Sequence, residues 1–119
     1  MSDSDLWLEK AEDDLDAAGY MREGGMFSQA AFLYQQAAEK VLKAVLVEKG
    51  EGLFQSHDCF ILAKKAGASE EVKEAGNSIS PYYFRTRYPD ADLVDLEKSE
   101  IDSVASSAEA IFEWARERL

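Results

Sequence analysis

Apolar residues recur at steps of three and four along most of the chain, a spacing that predicts amphipathic helices. The first predicted helix is capped by Asp3 or Ser4 and ends near Glu23, where Gly24 and Gly25 interrupt the pattern. Its apolar stripe, with Trp7 beside it, comprises Leu8, Ala11, Leu15 and Ala18. No proline occurs before residue 81, which also favours helix over this part of the chain.

The second predicted helix extends from a cap at Ser28 to about Lys49 and is apolar over most of its circumference. A helix that is apolar on so many sides normally contacts several others, so we place it at the centre of the fold. Gln35 lies near the apolar face and is predicted to be buried and hydrogen-bonded. Glu39 and Lys43 are spaced for a surface ion pair. The polar strip of this helix consists of Gln36, Glu39, Lys40 and Lys43.

Three shorter patterns predict the remaining helices. A third helix starts at Ser56–Asp58 and ends before Gly67, and a short fourth helix starts at Ser69. A last helix, capped by Asp95 or Ser99, carries an apolar stripe to the end of the sequence.

Pro81 and Pro89 mark a long connection between the fourth predicted helix and the last one, from about residue 80 to residue 96. The sequence shows no repeat, no low-complexity tract and no second domain. We therefore expect a single domain over residues 1–119. Its expected fold class is all-α, an antiparallel four- to five-helix up-and-down bundle.

The charge balance restricts the partners of the protein. The sequence has 24 Asp and Glu against 13 Lys and Arg, a formal net charge of -11 at pH 7. Such an acidic surface repels a nucleic-acid backbone, which argues against broad coating of nucleic acid but leaves room for one local basic pocket. The acidity fits either a salt-adapted source or ordinary solvated helix faces.

Several classes of protein and site are disfavoured by what the sequence lacks. No apolar stretch is long enough to cross a bilayer, and the acidic N-terminus is unlike a secretory signal, so we expect a cytoplasmic protein. Cys59 is the only cysteine, which excludes an internal disulfide. His57 and scattered carboxylates lack the spacing of a metal site, and no phosphate-binding glycine loop occurs. We therefore expect no metal and no cofactor.

The segment Arg85–Asp90 is the strongest candidate for a binding site. Arg85 and Arg87 provide planar sets of N–H donors that suit phosphate or carboxylate, and Tyr88 adds a stacking face. Long connections within small domains are often functional. The alternative is structural: Arg87 pairs with Asp90 across the proline turn, and Tyr88 packs on the bundle.

His57, Gln36 and Lys40 are accessory candidates. His57 is the only histidine, and its two interpretations are a helix-start residue bonded to a carbonyl or to Asp58, and a base held by that carboxylate. The first is favoured because no nucleophile is identifiable nearby in the sequence. Cys59 is predicted to be a buried, inert thiol.

The chain resembles the HEPN domain family over nearly its whole length. The order and spacing of the matching pieces are more specific than any one piece. These pieces are Trp7 with Ala11-Glu12-Asp13-Asp14-Leu15, Ala30-Ala31-Phe32, Gln35-Gln36-Ala37-Ala38-Glu39-Lys40, Lys43-Ala44, His57-Asp58 and Arg87-Tyr88-Pro89-Asp90.

The resemblance implies a helical bundle that forms a homodimer and has a link to nucleotides or RNA. Many stand-alone family members are encoded beside a minimal nucleotidyltransferase, in some cases as a toxin–antitoxin pair. Other members are metal-independent ribonucleases with an arginine followed, after four to six residues, by a histidine. Here neither Arg85 nor Arg87 is followed by any histidine, and His57 has no arginine at that distance before it.

Three functional hypotheses follow. The leading one is a dimeric binding module with a cleft for a nucleotide phosphate or the partner nucleotidyltransferase, formed by Arg85, Arg87, Tyr88 and Asp90. The arginines supply charge-assisted hydrogen bonds, Tyr88 a stacking or packing face, and Pro89-Asp90 the geometry of the loop. The second is a ribonuclease that uses the same arginines with an atypical base such as His57. In the third, the Arg-Tyr-Pro-Asp segment only stabilises the last helix and the dimer.

Overall fold

The computed structural model describes residues 1–52, 55–85 and 96–119, which are helical and contain no strand. The prediction of an all-α bundle is therefore confirmed. The described residues form five helices of seven or more residues and one single-turn helix. The helices are α1 (Asp3–Glu23), α2 (Phe27–Glu48), α3 (Cys59–Lys65), α4 (Glu70–Ile79), α5 (Tyr82–Arg85) and α6 (Lys98–Arg116).

Three helix starts differ from their predicted caps. Ser2, and neither Asp3 nor Ser4, caps α1, because its hydroxyl accepts from the backbone N–H of Asp5 while the Asp5 carboxylate accepts from Ser2. Helix α2 already starts at Phe27, so Ser28 lies inside it and no side chain caps it.

The last helix differs in the same way. Helix α6 begins at Lys98 after Glu97, which places Ser99 within its first turn and rules it out as the cap. Asp95, the other predicted cap, lies outside the described residues. The predicted start of the fourth helix at Ser69 is confirmed, since α4 begins at Glu70 and the hydroxyl of Ser69 caps it by accepting from the backbone N–H of Val72.

Helix α2 is the centre of the bundle, as its apolar circumference predicted. It contacts α1, α3, α5 and α6, and its Leu42 and Leu46 side chains are fully buried. Gly25, at a positive φ of 78°, reverses the chain between α1 and α2, so that these two long helices pack as a hairpin. The apolar stripe of α6 also packs on α2, and its Phe112 is fully buried.

The start of α3 is fixed against α4. The side chain of Asp58 caps α3 by accepting from the backbone N–H groups of Phe60 and Ile61. The Ser80 hydroxyl accepts from the backbone N–H of Cys59 at 2.8 Å and donates to the carbonyl of Gly76 at 2.9 Å. These contacts place His57, just before α3, against the middle of α2.

Candidate functional site

A buried polar cluster interrupts the apolar surface of α2. Gln35, Glu39 and Lys43 lie one turn apart and are all at least nine-tenths buried. The Lys43 ammonium donates to Glu39 Oε2 at 2.9 Å, and Gln35 Nε2 donates to Glu39 Oε1 at 3.3 Å. Gln35 is thus buried and hydrogen-bonded, as predicted. The prediction of a surface Glu39–Lys43 pair is wrong, since both side chains are buried. The ring of Trp7 lies over Lys43, with its centroid 5.8 Å from Lys43 Nζ.

His57 is attached to this cluster at two points. Its Nδ1 lies 3.0 Å from Glu39 Oε1, and its backbone carbonyl accepts from Gln35 Nε2 at 3.0 Å. The carboxylate partner of the imidazole is therefore Glu39, and the expected partner Asp58 instead caps α3. The rest of His57 faces outward, because 53% of its side chain is exposed.

Aromatic side chains flank the imidazole. The ring of Tyr83 stacks on His57 with centroids 4.1 Å apart and planes 12° from parallel. Phe32 stacks on Tyr83 at 6.3 Å, and Phe84 meets the Tyr83 ring edge-on at 4.9 Å. Phe84 remains 58% exposed. Rings from α2 and α5 and the imidazole therefore form one surface, which we call the His57 surface (Phe32, His57, Tyr83, Phe84).

Arg85 lies on the same short helix as Tyr83 and has a partner within the chain. Its Nη1 donates to Glu100 Oε2 at 3.0 Å, and its guanidinium lies 5.1 Å from the ring centroid of Tyr82. The Tyr82 hydroxyl donates to the same Glu100 oxygen. Burial, with this carboxylate contact, raises the pKa of Tyr82 to about 12. This arrangement connects α5 to α6 and uses part of the hydrogen-bonding capacity of Arg85.

The other predicted site residues are distributed differently. Arg87, Tyr88 and Asp90 lie outside the described residues. Gln36 adjoins the polar cluster, since its Nε2 donates to Gln35 Oε1 at 2.7 Å. Lys40 lies apart from it and pairs with an aspartate of α1.

Cys59, two residues after His57, is fully buried, as predicted. Burial raises the pKa of its thiol well above the usual range. A thiol in this position is a poor nucleophile and contributes to packing.

Sequence reasoning missed two members of the site, Glu39 as the partner of His57 and Tyr83 as its stacking ring. Glu39 follows Gln35 by four residues at the edge of the apolar face, a signal that permits burial without identifying a partner. Tyr83 belongs to the aromatic run Tyr82-Tyr83-Phe84 directly before Arg85, and that run was the available signal.

In the part of the chain that the structure describes, two cavities are lined by residues other than those of the His57 surface. The larger, of about 1000 Å³, is a groove between α1 and α6 that includes Tyr34, the 77% exposed Tyr20, and Arg22 paired with Asp102 at 2.7 Å. The smaller, of about 310 Å³, lies beside Tyr82 and the serines of α6. In the described ranges, no three His, Cys, Asp or Glu side chains are grouped as metal ligands. No helix of the described chain has the length and apolar character needed to cross a membrane.

Comparison with known proteins gives a family and solved structures that are similar to this chain. The family model of the HEPN domain matches residues 4–118. The crystal structure of TT1696 from Thermus thermophilus is similar, with a TM-score of 0.91, 28% identity and complete coverage of both chains. The crystal structure of ST0689, described as an archaeal HEPN homologue, has a TM-score of 0.84 and 26% identity over 98% of each chain. No curated protein matches the chain.

Proposed function

Because the chain belongs to the HEPN domain family, we propose that it is a binding module for a nucleotide or RNA. In this proposal it acts as a homodimer with a minimal nucleotidyltransferase partner, in a toxin–antitoxin-like system. The single observation that carries the ligand proposal is the His57 surface, where a half-exposed imidazole stacks on Tyr83. Aromatic and imidazole rings are the groups on which proteins stack nucleobases.

The position of the arginines supports the same ligand class. Arg85 is two residues from Tyr83, and Arg87 follows two residues later in the sequence. A guanidinium close to stacking rings provides charge-assisted donors for a nucleotide phosphate. The chain has a net charge of -11, and these arginines provide the local positive charge that an anionic ligand requires.

The test is calorimetric titration of ATP and a short single-stranded RNA into wild type and the Arg87→Ala variant. The proposal expects saturable binding to wild type and roughly tenfold weaker binding to the variant, the usual effect of losing a charge-assisted hydrogen bond. Arg118→Ala is the matched control, because it removes the same charge from an exposed position on the C-terminal turn. If neither probe binds wild type, the ligand proposal fails.

The partner and dimer proposals need separate experiments. Sedimentation of the purified chain tests the dimer, and a monomer at all concentrations would contradict it. Co-expression with the protein encoded by the neighbouring gene, if that gene is a minimal nucleotidyltransferase, tests the partner. Co-elution that Arg87→Ala abolishes and Arg118→Ala retains would support partner binding through this segment.

The ribonuclease hypothesis has one specific observation in its favour. Glu39 holds His57 by Nδ1 at 3.0 Å, the arrangement in which a carboxylate orients an imidazole for general-base chemistry. The separation of His57 and Arg87, which would test the pairing of these two groups, involves a residue outside the described ranges. An RNA cleavage assay comparing wild type with His57→Asn is decisive, because cleavage at equal rates would exclude His57 as the base.

The structural hypothesis concerns the Arg-Tyr-Pro-Asp segment at residues 87–90. It is supported by the contacts of Arg85 and Tyr82 with Glu100, which connect α5 to α6 just before that segment. It expects Arg87→Ala to lower the melting temperature and weaken dimerisation, with no ligand binding to lose. Ligand binding that Arg87→Ala reduces at unchanged stability would contradict it.

A further inference from the structure

The hydrogen bonds of the polar cluster determine which nitrogen of His57 carries a proton. An ionised carboxylate only accepts hydrogen bonds. Glu39 accepts from Lys43 through Oε2, and its Oε1 lies 3.3 Å from the Gln35 amide nitrogen and 3.0 Å from His57 Nδ1. Nδ1 therefore carries the proton, and its N–H donates a hydrogen bond to Glu39. Nε2 is the ring nitrogen that does not take part in this contact.

Lys43 is the cationic partner of Glu39 within the cluster. Lys43 lies 2.9 Å from the Glu39 carboxylate, and both side chains are more than nine-tenths buried. The lysine already balances the single negative charge of Glu39. A neutral imidazole protonated on Nδ1 has an unprotonated Nε2 that accepts hydrogen bonds.

The exposed part of His57 is the part that carries Nε2. Tyr83 covers one face of the ring at 4.1 Å, and the Nδ1 edge is directed at the buried Glu39. The 53% of the side chain that is exposed therefore comprises the other face and the Nε2 edge. Within the described residues, Nε2 has no hydrogen-bond partner.

We propose that His57 Nε2 is a hydrogen-bond acceptor for a nucleotide and that Glu39, with Lys43 and Gln35, acts as the positioning group that fixes its tautomer. This inference rests on the proposed function and deepens it. The ligand group it selects is a hydroxyl or amino donor, which a nucleotide carries on its ribose and on its adenine, cytosine or guanine base. The imidazole face opposite Tyr83 gives the base a stacking surface.

The first experiment observes the tautomer directly. His57 is the only histidine, so a long-range nitrogen–proton NMR spectrum at neutral pH contains a single imidazole. The proposal expects a protonated Nδ1 and a bare Nε2, with the Nε2 resonance moving on addition of AMP. A ring protonated on Nε2, alone or together with Nδ1, would overturn the proposal.

A neutral replacement tests the positioning role. In the Glu39→Gln/Lys43→Met double variant, the new amide can accept from Nδ1 or donate to it, and no buried charge is left unpaired. We expect both tautomers in this variant and one in wild type. The same single tautomer in both proteins would show that Glu39 does not set it.

The second experiment separates ligand contact from structure. In His57→Asn the side-chain amide reaches the position of Nδ1 and still donates to Glu39, but no atom occupies the position of Nε2. In His57→Gln the amide oxygen reaches towards the position of Nε2. We expect AMP to bind His57→Asn roughly tenfold more weakly than wild type at unchanged stability to urea, with partial recovery in His57→Gln.

Two further titrations identify the donor. Deoxy-AMP lacks the 2′-hydroxyl, and IMP lacks the amino group of adenine. If one of these probes binds wild type and His57→Asn with equal affinity, the group that it lacks is the donor to Nε2. If wild type binds AMP and His57→Asn binds it equally well, this inference fails and the proposed function stands. If wild type binds neither AMP nor RNA, both fail.

Discussion

Replacement of Gly76 by alanine tests the close approach of α3 and α4 that positions His57. A Cβ atom at this position would lie 2.7 Å from the carbonyl oxygen of Cys59, 2.8 Å from its carbonyl carbon and 3.0 Å from the backbone nitrogen of Phe60. All three are backbone atoms, so no flexible side chain can move aside. Relief requires a displacement of about 0.7 Å, since ordinary contacts are close to 3.5 Å.

Gly19 provides the matched control, because it also lies inside a helix and a Cβ there meets nothing within 4 Å. Both substitutions gain about 1 kcal/mol of helix propensity. The difference between them is therefore the overpacking cost alone, which is about 1–3 kcal/mol. We expect Gly19→Ala to be more stable than wild type by up to about 1 kcal/mol and Gly76→Ala to be less stable than wild type by up to about 2 kcal/mol.

Urea unfolding followed by circular dichroism measures both free energies of unfolding. If Gly76→Ala gained as much stability as Gly19→Ala, α4 would not approach the start of α3 as closely as described. The packing argument for the position of His57 would then be refuted.

Three further predictions concern the buried ionisable groups. Lys43→Met should lower the free energy of unfolding by about 3 kcal/mol, because it leaves the Glu39 charge buried without its cation, and Glu39→Gln in the same chain should recover most of the loss. Thiol reagent should modify Cys59 slowly in the native protein and rapidly in urea, since burial raises the pKa of that thiol; equal rates would contradict its burial. The raised pKa of Tyr82 predicts that its contribution to stability is complete below pH 10.0, the ordinary tyrosine value, and is lost as the pH rises towards about 12. Between pH 10.0 and about pH 12, the free energy of unfolding should fall less in Tyr82→Phe than in wild type, as urea unfolding at the two pH values would measure.

The helices could be predicted from the sequence because their signals are local. The apolar periodicity of α1 and the apolar circumference of α2 follow from residues three and four apart, and the central position of α2 follows from that circumference. Cap identity was less predictable. Several polar residues occur around the start of α1, namely Ser2, Asp3 and Ser4, and the backbone geometry decides which of them is the cap.

The candidate site was harder to predict because its contacts are made between distant residues. Glu39 and Lys43 occupy a polar strip that looks solvent-exposed from α2 alone, and only the tertiary contact with Trp7 shows that the lysine is covered. The partner of His57 lies 18 residues away on α2, whereas the sequence suggested its neighbour Asp58. Local spacing does not contain this information.

The structure describes only the first residue of the predicted binding segment Arg85–Asp90. The structure shows Arg85 paired with Glu100, a contact that a helix pattern cannot reveal because the two residues are separated by the long connection. Arg87, Tyr88 and Asp90 lie outside the described residues and remain candidates on the basis of their chemistry. The binding experiments with Arg87→Ala therefore address a prediction made from the sequence.

The most direct test of the account is a map of ligand-induced NMR shifts, made with AMP and with a short single-stranded RNA. The account predicts that the ring signals of His57 and Tyr83 move together as either probe saturates the protein, while the exposed Tyr20 in the groove between α1 and α6 does not move. Shifts at Tyr20 with unchanged His57 signals would place the ligand in that groove and contradict the central claim that the His57 surface is the binding site.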